Sequence, residues 1–211
     1  MEAQFWHDRW QANEIAFHQG QANRMLVAHL ASLRLAPGAR LFLPLCGKTC
    51  DIAWLRTQGF AVAGAELSEL AIQQLFDEMG VSPQKSPAGA LTRWHAPGID
   101  IFVGDFFELA PADLGPVDAV FDRAALVALP REMRVQYAQK LVTLTGAARQ
   151  LLVTFEYDQA AMDGPPFSLV PDEVRAHYVA TYPGIAEVDR LNVPGNLKGL
   201  VPADEVAWLL A

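Results

Sequence analysis

Apolar positions along the chain fall into short clusters divided by polar, glycine-rich or proline-rich breaks, and the spacing within each cluster predicts an element. Trp6 to Trp10 repeat at helical spacing, the polar loop NEIAFHQGQAN carries Phe17, and a stripe from Met25 to Leu33 restores a helix before APGAR. From Arg40 the pattern alternates. Strand Leu41–Leu45, helix Asp51–Gln58, strand Phe60–Ala65 and helix Glu69–Met79 follow one another, with Ser68 placed to cap the second helix. VSPQKSPAGA reads as a surface loop, DIFVG and VDAVF as the third and fourth strands, Arg131–Leu144 as a helix and QLLVTF as a fifth strand.

Strands alternating with helices predict a parallel sheet covered on both faces. After Phe155 the pattern changes: DGPPF breaks the chain, Pro171–Val179 predicts a helix, and two strands, near Ile185–Leu191 and Glu205–Leu210, lie close enough in sequence to pair antiparallel. The expected fold is α/β, a mostly parallel seven-stranded sheet with a C-terminal antiparallel hairpin. That outline resembles the Rossmann-like class I methyltransferases, which use S-adenosylmethionine; an outline alone does not fix function.

Composition narrows the function classes. With 211 residues and 52% hydrophobic content, the chain can bury one sizeable core, and a single domain over residues 1–211 is expected, with 1–36 as an N-terminal helical segment. A formal charge of −8 argues against a phosphate-backbone partner, which calls for clustered Lys and Arg. MEAQFWHDRW lacks a basic segment followed by an apolar run, and no later stretch reaches membrane-spanning length without polar interruption. A cytoplasmic monomer with a small-molecule partner, and neither nucleic acid nor membrane, is the expectation. Cys46 and Cys50 have no second pair or nearby His to complete a metal tetrahedron, so both read as small apolar side chains and no metal is expected.

Candidate chemistry lies where the predicted strands end, because open α/β sheets bind ligands beyond their carboxyl edges. Strand one delivers Leu45, Cys46 and Gly47; strand two Glu66; strand three Asp105 and Phe106; strand four Asp122 and Arg123. A dinucleotide fingerprint needs three glycines and LPLCGKT has one; a phosphate loop needs a glycine where Phe42 stands. NAD and ATP are therefore disfavoured, whereas a phosphate-free adenosine needs only one close backbone approach. Glu66 lies about 20 residues beyond the glycine turn, where an acid can accept both ribose hydroxyls. Arg123 points away from its neighbour Asp122, into the site, where it would hold the cofactor carboxylate or favour an ionised thiol. Trp6 and Trp10 share a helical face; Trp6 reads as core packing, Lys48 as a solvated charge, and His18 as an ordinary polar residue held in reserve as a base.

FWHDRW, IAFHQG, LPLCGKTCD, GAELSELAI, GDFFEL, DRAALVALP and GPPF, in this order, resemble the thiopurine S-methyltransferases, the bacterial form in particular. The resemblance extends over most of the chain. It implies methyl transfer from S-adenosylmethionine to an aromatic or heterocyclic thiol, with bacterial relatives also acting on selenium or tellurium compounds. Carried over, the family's cofactor contacts fall on Trp10, Leu45, Glu66 and Arg123, with Asp105 and Phe106 near the adenine, and Phe17 matches a substrate-pocket aromatic. Turnover would be in-line displacement that aligns two sulfur atoms, under a lid formed by the segment with Phe17 and Gly20. One departure stands out: where the family carries a basic residue in its C-terminal tail, NVPGNLKGL offers Lys198 as the nearest charge. Selenium, tellurium or halide acceptors, and a non-catalytic cofactor-binding protein of the same fold, are the alternative readings.

Overall fold

The computed structural model describes residues 3–211. Nine strands form one sheet: β1 (Arg40–Leu43), β2 (Ala61–Glu66), β3 (Gln84–Ala88), β4 (Leu91–Ala96), β5 (Ile99–Val103), β6 (Ala119–Arg123), β7 (Arg149–Glu156), β8 (Ile185–Asn192) and β9 (Asp204–Leu210), in the order β3-β4-β5-β2-β1-β6-β7-β9-β8. The central strands β5, β2, β1, β6 and β7 are parallel. β9 enters antiparallel beside β7 and pairs antiparallel with β8, as the late strands predict.

Helices α1 (Ala3–Gln11), α2 (Arg24–His29), α3 (Cys50–Thr57), α4 (Glu69–Met79), α5 (Pro111–Leu114), α6 (Arg131–Thr145) and α7 (Pro171–Tyr178) connect the strands. Local chemistry sets their ends. The Ser68 hydroxyl accepts from the Ala71 amide at 3.2 Å to start α4, and Gly80, left-handed at φ 65°, closes it. Thr49 caps α3 in the same way.

Alternation along the central strands divides the core between two faces. Phe42, Val120, Leu152 and Trp208 pack with Tyr137 of α6 and Tyr178 of α7 on one side. Leu41, Leu43, Phe121 and Leu151 pack with Ile52 of α3, Phe76 of α4 and Met25 of α2 on the other. Each strand is therefore buried twice, which is why its sequence reads as a continuous apolar run.

The predicted seven strands become nine because a hairpin, β3 and β4, adds to the edge through antiparallel pairing of β4 with β5. VSPQKSPAGA, expected as a loop, holds β3: exposed Gln84, Lys85, Ser86 and Pro87 are residues an edge strand tolerates and an interior strand does not. Gly89, left-handed at φ 57°, makes the turn into β4, and buried Trp94 anchors β4 against Phe76 with ring centroids 6.0 Å apart. Of the N-terminal helical and lid segment expected over residues 1–36, the part from α2 onward is built into the core: Met25, Leu26 and Leu33 are buried there. Met1 and Glu2 lie outside the described residues.

Candidate active site

The chain after β1 turns sharply under the first helix. Leu45 and Gly47 are both left-handed, at φ 46° and 52°, and the Cys46 amide between them donates to the Ala65 carbonyl at 2.9 Å, tying the turn to β2. Gly47 donates its own amide to Glu66 Oε2 at 2.8 Å, while Oε1 of the same carboxylate accepts from the Ser68 amide at 2.8 Å. Glu66 is only 7% exposed. Burial pushes its carboxyl above the ordinary range, and the amides of Ser68, Gly47 and Leu67 pull it back down.

Trp10, 4% exposed, lies across this turn: a methyl group on Gly47 would stand 3.0 Å from its Cζ2. Phe17 meets Trp10 edge to face at 5.6 Å and Trp6 at 5.9 Å, so three rings from α1 and the following loop form one aromatic roof. Trp6, expected as core packing, is half-buried and borders the cavity under that roof.

That cavity has a volume of about 620 Å³. Every candidate from the sequence borders it: Leu45, Gly47, Glu66 and Arg123 at strand ends, Asp105 and Phe106 after β5, and Trp10, Phe17 and His18 from the roof. Asp105 is exposed, with Oδ1 accepting from the Phe107 amide at 2.9 Å. The two rings that follow it divide the work. Phe106 is buried with its centroid 5.1 Å from that of Tyr137, whereas Phe107 stays half-buried at the cavity.

Arg123 enters the cavity at the end of β6 while its neighbour Asp122 points into the core, where its Oδ2 accepts from the Tyr137 hydroxyl at 2.8 Å. Arg123 Nε is buried without a hydrogen-bond partner among the described residues. Lys48, expected as a solvated charge, is instead mostly covered and paired with Glu78 at 2.6 Å. His18 is held below the usual imidazole value, first by burial and then by Lys48. Lys198 reaches the same cavity and donates to the Pro165 carbonyl.

A family model described as thiopurine S-methyltransferase (TPMT) matches residues 1–209. The chain belongs to the thiopurine S-methyltransferase family. It is 59% identical over 211 residues to a thiopurine S-methyltransferase of Xanthobacter autotrophicus, covering 100% of this chain and 99% of that one. It is 46% identical over 214 residues to that of Acinetobacter baylyi, covering 100% and 98%. Among solved structures it is similar to the 1,6-didemethyltoxoflavin-N1-methyltransferase of Burkholderia thailandensis, crystallised with 1,6-didemethyltoxoflavin and S-adenosylhomocysteine: TM-score 0.65, 17% identity, 99% of this chain and 87% of that one. The magnesium protoporphyrin IX methyltransferase of Synechocystis PCC 6803 gives a TM-score of 0.62 at 14% identity over 100% of both chains. At those identities the likeness is one of fold, that of the class I S-adenosylmethionine methyltransferases.

In this member of the thiopurine S-methyltransferase family the cavity also has residues that strand-end reasoning passes over. Asp51, in the first turn of α3, reads as an ordinary helix-start acid. Glu205 sits in DEVAWLL, and a carboxylate leading directly into an apolar run is the available signal, since burying one demands partners. Arg9, one residue before Trp10, borders the cavity and places its guanidinium 4.5 Å from the Phe5 ring centroid.

Proposed function

We propose that this protein transfers the methyl group of S-adenosylmethionine to the sulfur of an aromatic or heterocyclic thiol by in-line displacement. The observation that carries the reading is the Gly47 amide bonded to buried Glu66 beneath Trp10, in a chain whose family is shown. S-adenosylmethionine supplies, when bound, a sulfonium methyl electrophilic enough for direct displacement.

The residues fit such a ligand. Glu66 Oε2 accepts from the Gly47 amide and Oε1 from the Ser68 amide, and the carboxylate has further acceptor positions for ribose hydroxyls. Asp105 and half-buried Phe107 offer an acceptor and an aromatic ring for the adenine. Arg123, with its buried unpaired Nε, requires an acceptor that the surrounding protein does not give; a carboxylate or a thiolate supplies it. Gly47 and Leu45 bring backbone to the amino-acid end, and the electron-rich roof of Trp10 and Phe17 favours a cationic centre.

No dedicated base is required, because an acidic thiol is partly ionised near neutral pH. His18, which lines the cavity next to Phe17, is the imidazole placed to take up any remaining proton. The main work is alignment under a roof that excludes water, worth roughly 7–11 kcal/mol when both reactants are held at near-attack separation. We assign cofactor contacts to Trp10, Leu45, Gly47, Glu66, Asp105, Phe106 and Arg123, with Phe106 acting through its backbone, and acceptor contacts to Phe17 and His18. The same reading makes residues 1–211 one methyltransferase domain, a cytoplasmic monomer with the described residues before Asn23 as its lid.

Incubation with methyl-labelled S-adenosylmethionine and a panel of thiopurines, thiophenols, selenite, tellurite and iodide tests the reading. Label on the thiols is expected. Label on selenium, tellurium or iodide alone would replace the acceptor; S-adenosylhomocysteine binding without transfer to any would make the protein a non-catalytic binder. Glu66→Ala is expected to abolish the calorimetric heat of S-adenosylhomocysteine.

A further inference from the structure

Two buried carboxylates border the cavity that the proposed contacts do not use. Asp51 is 2% exposed and Glu205 4%, one from the start of α3 and the other from β9. Neither is free. Asp51 Oδ1 accepts from the Asn23 amide at 2.6 Å and its Oδ2 from the Thr49 hydroxyl at 2.7 Å. Glu205 Oε2 accepts from Arg24 Nε at 2.9 Å and its Oε1 from Asn23 Nδ2 at 3.2 Å. One residue, Asn23, therefore touches both acids. It is 1% exposed, its Oδ1 caps α2 through the Met25 amide at 2.9 Å, and its Nδ2 also reaches Gln19 Oε1 at 3.2 Å.

Arg123 lines the same cavity as these acids. Its Nε has no hydrogen-bond partner, and Asp51 and Glu205 are the anions whose charge supports its own against burial. A buried guanidinium without nearby negative charge is costly, and here that charge comes from two elements that also hold the N-terminal segment. Asp51, Glu205 and Arg123 thus line one cavity, and Asn23, which bonds to both acids, caps the helix that follows the loop carrying Phe17 and His18.

We propose that Asp51 and Glu205 are positioning residues: held in place by their bonds to Asn23, they keep Arg123 ready, through their charge, for the anionic group of its ligand. This rests on the methyltransferase reading only in the identity of that ligand. Both acids act through Arg123, so their removal is felt only where Arg123 is present.

The test is a pair of mutant cycles. Asp51→Asn, Glu205→Gln, Arg123→Met and the two doubles with Arg123→Met are compared for kcat/KM toward S-adenosylmethionine and toward thiophenol, for S-adenosylhomocysteine affinity by calorimetry, and for Tm. Each acid variant is expected to lose about tenfold in the same constant that Arg123→Met lowers, and under about twofold once Arg123 is already Met. An equal loss in both backgrounds, no loss in either acid variant, or no effect of Arg123→Met overturns the proposal. A loss that tracks a fall in Tm and is the same for every ligand constant also overturns it, as the mark of a merely structural pair. Failure of the wild-type protein to bind S-adenosylhomocysteine would instead strike the functional reading, a result separate from any of these.

Discussion

Gly47 is fixed as glycine by two independent constraints: a left-handed φ of 52° and a Trp10 ring 3.0 Å from where a Cβ would sit. Gly47→Ala meets both. The backbone term costs about 1–2 kcal/mol, and the displaced Trp10 opens the turn that Glu66 closes. A lower Tm together with at least about tenfold weaker S-adenosylhomocysteine binding is expected; unchanged affinity would detach the glycine turn from the ligand. Asp122 makes a different prediction at the same scale. Burial raises its carboxyl to about 6, against the amides of Leu126 and Ala125 and the Tyr137 hydroxyl that favour its ionised form. An acid whose folded pKa lies above its unfolded value binds protons more tightly in the native state, so its contribution to stability falls as pH rises from about 4 through about 6. Between pH 5 and 7 that loss is about 1 kcal/mol, and Asp122→Asn is expected to flatten the wild-type decline in stability measured by denaturant titration across that window.

At the scale of elements, the chain before Asn23 does a different job from the chain after it. α2 is core, through Met25 and Leu26, while α1 and the loop with Phe17 roof the cavity. Removing residues 1–20 should leave the far-UV circular dichroism of the sheet in place and lower turnover by about a hundredfold or more, because alignment and water exclusion are lost together. Retained activity would show that the roof is dispensable. This division was only half visible in the sequence: the apolar stripe over Met25–Leu33 announced a helix, but nothing in it said that the helix would be buried beside β7 rather than lie over the site. The edge hairpin was hidden for a related reason, since Pro87 and Lys85 carry loop chemistry and only pairing of β4 with β5 makes a strand of their neighbours. By contrast the βα units from Arg40 to Met79 were legible nearly to the residue, because an apolar run buried on both faces and a Ser or Thr cap leave few other solutions. Strand ends likewise exposed Glu66 and Arg123. Asp51 and Glu205 stayed unread because their partners, Asn23 and Arg24, come from distant sequence and meet them only in the fold.

For the whole molecule, the cavity is a shared property of nearly every central element: β1, β2, β6, β9, α1 and the turn after β5 each border it. A ligand that bridges these elements binds the folded chain and has no site on the unfolded one, so occupancy adds directly to global stability. At a hundred times its dissociation constant S-adenosylhomocysteine is worth about 2.7 kcal/mol, which in a domain of this size raises Tm by about 5–10 °C. NAD and ATP are the controls that give this number meaning. The turn at Leu45–Gly47 offers one glycine, and its amide is already donated to Glu66, so no nest of free amides awaits a pyrophosphate. Equal concentrations of NAD or ATP are expected to leave Tm where it was, and Glu66→Ala is expected to erase the S-adenosylhomocysteine shift. A larger shift with either phosphate ligand would mean that the single-glycine turn reads a phosphate after all, and the chemistry assigned to Glu66 and Arg123 would have to be rebuilt around it.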